Sequence, residues 1–305
     1  MTVSMKNSWR QLILVGVVLM FAGAGCGMVN QKSPEQVGKD TPKVAATIFP
    51  LFDLVRQIGG NDVETQVIID PNVSEHYFEL TSGKLKQLQG TDFIFAIGQN
   101  LDNTWTEAIS QNIPGSKVVD VSQGISIRPS HDEEEGPTDP HYWLSPANAP
   151  IIIDTITKEL SALTPEHSED FAARAKKLKQ QIAEKDREWR VAIAALPAKD
   201  ILTFHDAFYY FADHFGLNIV GTFEPFPGKE PTPKYLEEIQ REIKQYNIQY
   251  LFLEPQLSQD SLRTFASDNN LNLGTLDPIG GLEGRESYVE LIDFNVNQIV
   301  QSLQK

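Results

Sequence analysis

The sequence predicts an α/β protein of two lobes, each with a mostly parallel four-stranded sheet, joined by one long backbone helix. Two series of short apolar strands alternating with helical patterns predict the lobes. Strand–helix alternation of this kind buries a parallel sheet between helices. Between the series, one amphipathic stretch runs without interruption and predicts the helix.

The first series places strands at Val44–Ile48, Thr65–Ile69, Phe93–Ile97 and Lys117–Val121, with helices near Leu51–Ile58, Gly83–Leu88 and Leu101–Ile109. The second places strands at Ile201–Phe204, Ile219–Thr222, Tyr250–Leu253 and Leu273–Leu276. Its helices fall near Asp206–Phe215, Pro233–Tyr246, Ser261–Asn269 and Glu286–Leu303, and Thr232 before Pro233 is a strong helix start. Thr164-Pro165 opens the connecting stretch and Pro197 closes it. Phe171, Ala175, Leu178, Ile182 and Trp189 recur on one helical face. About 32 residues at 1.5 Å each give a rod of roughly 48 Å, more than one lobe requires. The organisation is therefore 44–163 for the N-terminal lobe, 164–197 for the linking helix and 198–305 for the C-terminal lobe.

The N-terminus reads differently. Lys6 and Arg10 precede an uncharged run, Leu12 to Gly25. That run is short of the ~20 apolar residues that span a bilayer, and with its basic flank it reads as a signal peptide over residues 1–25. Cys26, the sole cysteine, follows the small residues Gly23-Ala24-Gly25. Small residues before a lone cysteine resemble a bacterial lipobox, in which that cysteine is lipidated and becomes the first mature residue. Gly23 departs from the leucine usual there, and a cleaved signal with an incidental cysteine is the competing reading. The polar stretch 26–43 reads as an extended tether.

Across 305 residues, 41% are hydrophobic and 22% charged, an ordinary globular balance, with a net charge of −15. Loss of the first 25 residues, which hold Lys6 and Arg10 but no acids, leaves −17. Such acidity excludes a basic nucleic-acid footprint and is compatible with cation capture, although solubility alone accounts for it.

Six histidines separate by context. His76 lies in Ser74-Glu75-His76-Tyr77, just beyond the strand ending at Ile69, and His205 lies in Thr203-Phe204-His205-Asp206, at a strand exit. Asp277 leaves the strand Leu273–Leu276 in the same way, and His141 lies in Asp139-Pro140-His141-Tyr142-Trp143, a loop running into a helix. Ligands of open α/β sheets bind at strand carboxyl ends. Three imidazoles and a carboxylate suit a first-row divalent metal. Spacing alone leaves open the plainer reading that each histidine is hydrogen-bonded or at the surface.

The ordered blocks carry a more specific signal. Ser74-Glu75-His76 with Leu85–Asn100, Asp139-Pro140-His141-Tyr142-Trp143-Leu144-Ser145-Pro146 and Thr203-Phe204-His205-Asp206-Ala207-Phe208 occur in that order, followed by Phe252-Leu253-Glu254-Pro255-Gln256 and Leu276-Asp277-Pro278. From about Val44 onward the chain resembles the zinc/manganese solute-binding proteins of bacterial ABC importers (cluster A-I, or cluster 9). The resemblance implies two α/β lobes bridged by a long helix, with metal in the cleft. It implies His76, His141 and His205 as ligands and Asp277 at the fourth position, with Glu75 in reserve. Histidine at His205, where manganese-type relatives carry glutamate, implies Zn²⁺. It also implies an ABC permease with its ATPase as partner, no enzymatic activity, a monomer, and an extracytoplasmic place, periplasm or cell surface, to which the lipobox-like run adds a lipid anchor at Cys26.

The other histidines have plainer readings: His214 a packing or surface residue, His167 solvent-facing, and His131 part of a solvated acidic loop, Asp132 to Glu135. The alternatives are a manganese-binding subunit or an adhesin of the same family, and a metallo-hydrolase with Glu75 as general base. No HExxH helix or nucleophile motif supports the hydrolase.

Overall fold

The first series of strands forms a sheet in a computed structural model that describes residues 41–131, 136–225 and 227–304. Strands β1 (Lys43–Ala46), β2 (Glu64–Val67), β3 (Phe93–Ala96) and β4 (Lys117–Asp120) all pair in parallel, in the order β2-β1-β3-β4. Parallel neighbours need crossovers, and α1 (Phe49–Gly59), α2 (Ser82–Gln87) and α3 (Asn103–Asn112) provide them, with α4 (Ala149–Leu163) completing the lobe. After the long helix α5 (Ser168–Ala194), the second series repeats the plan. Its strands β5 (Asp200–Thr203), β6 (Asn218–Thr222), β7 (Tyr250–Leu253) and β8 (Asn272–Thr275) run parallel in the order β6-β5-β7-β8. The helices α6 (Tyr209–Phe215), α7 (Pro233–Gln245), α8 (Asp260–Asp268) and α9 (Tyr288–Leu303) accompany it. The signal segment, Cys26 and the tether up to residue 40 lie outside the described residues. Among the described residues no helix is long and apolar enough to cross a membrane.

Local chemistry accounts for the helix starts. Thr232 accepts a hydrogen bond from Tyr235 N and Pro233 opens α7, as the sequence predicts. Ser287 caps α9 through Glu290 N, which moves the start of that helix two residues past the expected Glu286. The linking helix is shorter than expected. Pro165–His167 form a 3-10 turn, and only the 27 residues of α5 are α-helical, about 40 Å at 1.5 Å per residue. His205 is likewise followed by a 3-10 turn, Asp206–Phe208, before α6 begins.

The apolar face read from the spacing is the face α5 buries. Phe171, Ala175, Leu178, Ile182 and Trp189 join one continuous core that runs from Val44 and Leu54 to Ile292 and Ile299. Helix α5 packs on α1 and α4 on one side and on α6 and α9 on the other. Residues 40–305 accordingly form one compact unit. Polar bonds tie the lobes further. Asp53 accepts from Tyr288 N (2.8 Å), Trp143 Nε1 donates to Pro278 O (2.8 Å), and Tyr288 Oη donates to Trp143 O (2.9 Å). The Gly281 backbone (φ +75°) lies close against side chains of the other lobe, where a Cβ would lie 2.6 Å from Pro71 Cγ and 2.7 Å from Phe49 Cδ2. Only glycine fits there.

Candidate metal centre

The two lobes present their strand carboxyl ends to a shared cleft. In the second sheet, β5 and β7 are neighbours whose crossovers leave toward opposite edges, β6 and β8. That is a topological switch point, where open α/β sheets bind ligands. His205 emerges from β5 with extended backbone, and Glu254 emerges from β7 beside it. On the N-terminal lobe, the chain leaving β2 turns at Asp70, whose carbonyl accepts from Val73 N. Ser74 Oγ then accepts from His76 N (3.3 Å) and fixes the next turn. His141 ends the long segment after β4 and immediately precedes the 3-10 turn Tyr142–Leu144.

These three chain segments bring three imidazoles together. Their ring centroids stand 5.3 Å (His76–His141), 5.4 Å (His76–His205) and 5.3 Å (His141–His205) apart, a nearly equilateral triangle. One ligand nitrogen from each lies within 4.8 Å of the other two. His76 Nε2 and His141 Nε2 are 3.2 Å apart. Tetrahedral zinc with bonds of 2.0–2.1 Å separates its nitrogens by roughly 3.3 Å, so the pair is already at coordination spacing.

Carboxylates orient two of the rings from behind. Asp139 Oδ1 lies 2.9 Å from both the backbone N and Nδ1 of His141. Glu254 Oε1 lies 2.7 Å from His205 Nδ1 and accepts from His205 N at 3.3 Å. An Nδ1–H donated to a carboxylate fixes the tautomer that leaves Nε2 free to ligate and raises its basicity. Neither acid stood out in the sequence as functional. Their signals were there: Asp139 stands two residues before His141, and Glu254 leaves the strand adjacent to that of His205.

Burial shapes the protonation of the site. The His76 pKa is pushed well below its usual value, first by burial and then by the neighbouring His141 and His205. That favours the neutral imidazole a metal requires. Burial raises the Glu75 carboxyl, a shift that His141 and His205 oppose. Burial also holds Glu254 well above the carboxylate range, opposed by the His205 N–H and by His141 and reinforced by Asp277. A bound cation would reverse the balance for both acids.

Glu75 and Asp277, the two acids expected at or near the fourth position, fare differently. Glu75 Oε1 is 3.9 Å from both His76 Nε2 and His141 Nε2 and is buried. Oε1 itself makes no hydrogen bond among the described residues. Asp277, like Glu75, stands outside the histidine group, but unlike Glu75 Oε1 its buried carboxylate is engaged elsewhere. Oδ1 accepts from Gln256 Nε2, Ile279 N and Gly280 N, each at 2.9 Å, and Oδ2 accepts from Arg285 Nη1 at 2.9 Å. A polar recess of about 230 Å³ leads in beside Glu75 and His76, lined by Gln99, Asn100, Thr104 and Thr138. From the opposite lobe, Gly228 lies against Tyr77, where a Cβ would stand 2.7 Å from Tyr77 Oη.

The remaining histidines keep structural roles. His214 Nε2 meets Asp186 Oδ1 at 2.5 Å and pins α6 to α5. His167 is partly exposed beside Asp62 (3.4 Å) and Asp170 (3.8 Å). Although these three could in principle hold an ion, Arg174 Nη2 already neutralises Asp62 at 2.6 Å. His131 stacks on Tyr209 at 4.8 Å, and the acidic residues 132–135 after it lie outside the described residues.

The family described as zinc-uptake complex component A, periplasmic, matches residues 44–302. The zinc-binding protein AdcA of Streptococcus pyogenes is 27% identical over 266 residues, covering 80% of this chain and 52% of its own. The chain thus spans about half the length of that relative. The high-affinity zinc uptake system protein ZnuA of Yersinia pestis is 27% identical over 328 residues, covering 98% of this chain and 99% of its own. Among solved structures, a crystal structure of ZnuA superposes with a TM-score of 0.78 at 25% identity, covering 86% of this chain and 99% of that one. A Mn-bound periplasmic metal binding protein from Candidatus Liberibacter asiaticus shares the fold, with a TM-score of 0.77 at 21% identity over 86% of this chain and 99% of that one.

Proposed function

The chain belongs to the family of periplasmic zinc-uptake complex component A proteins, and from that premise we propose that it captures Zn²⁺ outside the cytoplasm and delivers it to an ABC importer permease. It is a metal-binding solute-binding protein and not an enzyme. In the proposed site, His76, His141 and His205 supply three imidazole nitrogens and Glu75 the fourth donor, with Asp139 and Glu254 fixing two of the rings. The metal is cargo, taken up in the cleft and handed on. The permease works with an ATPase, and Cys26 carries the lipid that keeps the protein at the membrane.

The observation that carries this reading is the triangle of imidazoles, with two ligating nitrogens 3.2 Å apart. Three nitrogens with at most one oxygen suit zinc, which accepts four ligands without geometric preference. They serve manganese poorly, because it favours oxygen ligands and already stands lowest in the divalent affinity order. Isothermal titration of metal-stripped protein tests the proposal. One tight zinc event per chain is expected, and His141→Ala should remove it. An unchanged tight event in that variant would refute the site.

A further inference from the structure

Asp277 stands just beyond β8, and its surroundings explain why it is withheld from the histidines. Four donors meet its carboxylate: Gln256 Nε2, the backbone N of Ile279 and Gly280, and Arg285 Nη1. The first three all fall on Oδ1. Among the described residues Arg285 alone holds Oδ2, at 2.9 Å. The guanidinium is itself fixed. Gly281 N donates to Arg285 O, and Arg285 N donates to Leu282 O, which closes a turn. The charged group then lies over the Phe294 ring, 4.3 Å from its centroid, a stacking that suits a guanidinium. The side chain is only 14% exposed and its partner fully buried.

Asp277 is nonetheless linked to the site through Gln256. Gln256 Nε2, which binds it, also reaches Pro71 O across the cleft, 3.2 Å away. Two residues before Gln256, Glu254 holds His205. Resting on the reading of His76, His141 and His205 as ligands, we propose that Arg285 is a specificity-determining positioning residue. By occupying Asp277 Oδ2 it keeps a second carboxylate off the metal and leaves a nitrogen-rich, four-coordinate donor set. Removing the guanidinium would leave Oδ2 buried without its counter-charge, and a cation in the cleft would offset it. A second carboxylate adds oxygen character and a route to higher coordination, which benefits manganese far more than zinc.

Competition between Zn²⁺ and Mn²⁺ at fixed pH is the test, in the full chain and in Arg285→Gln, Arg285→Lys and the double variant Asp277→Asn/Arg285→Gln. Arg285→Gln should narrow the zinc-over-manganese ratio by on the order of tenfold, because one oxygen donor is added. With Co²⁺ as probe, its visible d–d absorption should weaken as coordination rises above four. Arg285→Lys should retain the wild-type ratio, and the double variant should restore both ratio and spectrum. A wild-type ratio and cobalt spectrum in Arg285→Gln, or a double variant that stays shifted, overturns the proposal. Should Arg285→Gln fail to fold, the structure of zinc-loaded wild type decides. Asp277 paired with Arg285 and off the metal supports the proposal, and an Asp277 oxygen bonded to zinc overturns it. Absence of zinc binding by wild type would instead refute the site itself.

Discussion

Replacing Glu254 by alanine changes nothing that touches the metal, yet it should weaken zinc binding by about 10- to 100-fold, the range found when an orienting partner of a ligating histidine is lost. That is about 1.4–2.8 kcal/mol of binding free energy. The structure argues for the upper end in alanine. Glu254 Oε1 is 2.7 Å from His205 Nδ1 and also accepts the His205 backbone N–H, both in a buried setting. Glu254→Gln should fall at the lower end, because the amide oxygen can still accept from Nδ1–H while the charge that stabilises the metal-bound imidazole is gone. A second readout follows from protonation. Burial holds the Glu254 carboxyl well above its usual range in the metal-free protein. The carboxylate form is required once His205 Nδ1–H donates to it, so zinc uptake should expel a proton that the glutamine variant does not carry. Titration against a chelator of known affinity gives the first quantity. Calorimetry in buffers of different ionisation enthalpy gives the second, a deficit of up to about one proton per zinc in Glu254→Gln. Glu254→Ala binding zinc within twofold of wild type would refute the reasoning.

His205→Glu, which adds a carboxylate capable of bidentate contact, should narrow the zinc-over-manganese preference by on the order of tenfold; equal zinc and manganese affinity in the wild type would instead overturn the metal assignment. In the metal-free protein the folded-state pKa of His76 lies well below that of the unfolded chain, so the unfolded state binds more protons, and stability should fall as pH drops below about 6.5. Urea unfolding at several pH values should show a smaller acid loss in His76→Gln than in wild type, and parallel losses would contradict this. Native protein should partition into detergent, and Cys26→Ser should not, since stable anchoring needs lipid on the cysteine; aqueous partitioning of both would remove the anchor.

The sheets were legible because buried parallel strands read as short, almost uniformly apolar runs, as in Phe93–Ala96 and Tyr250–Leu253. The buried face of α5 was legible from spacing alone. Its first turn was not, because Pro165 fits the start of an α-helix and of a 3-10 turn equally. The three histidines were visible as motif members at strand exits or loop ends, yet their convergence is tertiary. His76 and His141 are 65 residues apart and meet at 3.2 Å. Sequence position puts Asp277 at a strand exit like the ligands, but its partners are set by a turn containing Gly280 and Gly281 and by Arg285, none of which spacing can weigh against a metal. Glu254 escaped for the opposite reason: its importance lies wholly in a contact with His205, 49 residues away.

The proposed ligands are divided unequally between two lobes of the same topology. His76, His141 and Glu75 belong to the N-terminal lobe, as does Asp139, which braces His141. The C-terminal lobe contributes His205 with Glu254 behind it, at the switch point between β5 and β7. The N-terminal lobe therefore holds a half-site whose two nitrogens are already at coordination distance, and His205 closes it as a single arm. The continuous core through α5 and the bonds joining Trp143 to Pro278 and Asp53 to Tyr288 N brace the lobes away from the metal. Close-packed cores resist continuous deformation. Wide separation of the lobes would break those bonds, whereas withdrawing His205 disturbs one imidazole and its carboxylate. A carrier must hold its metal tightly and still give it up, and a site that loses one of three imidazoles through a small local displacement meets both demands.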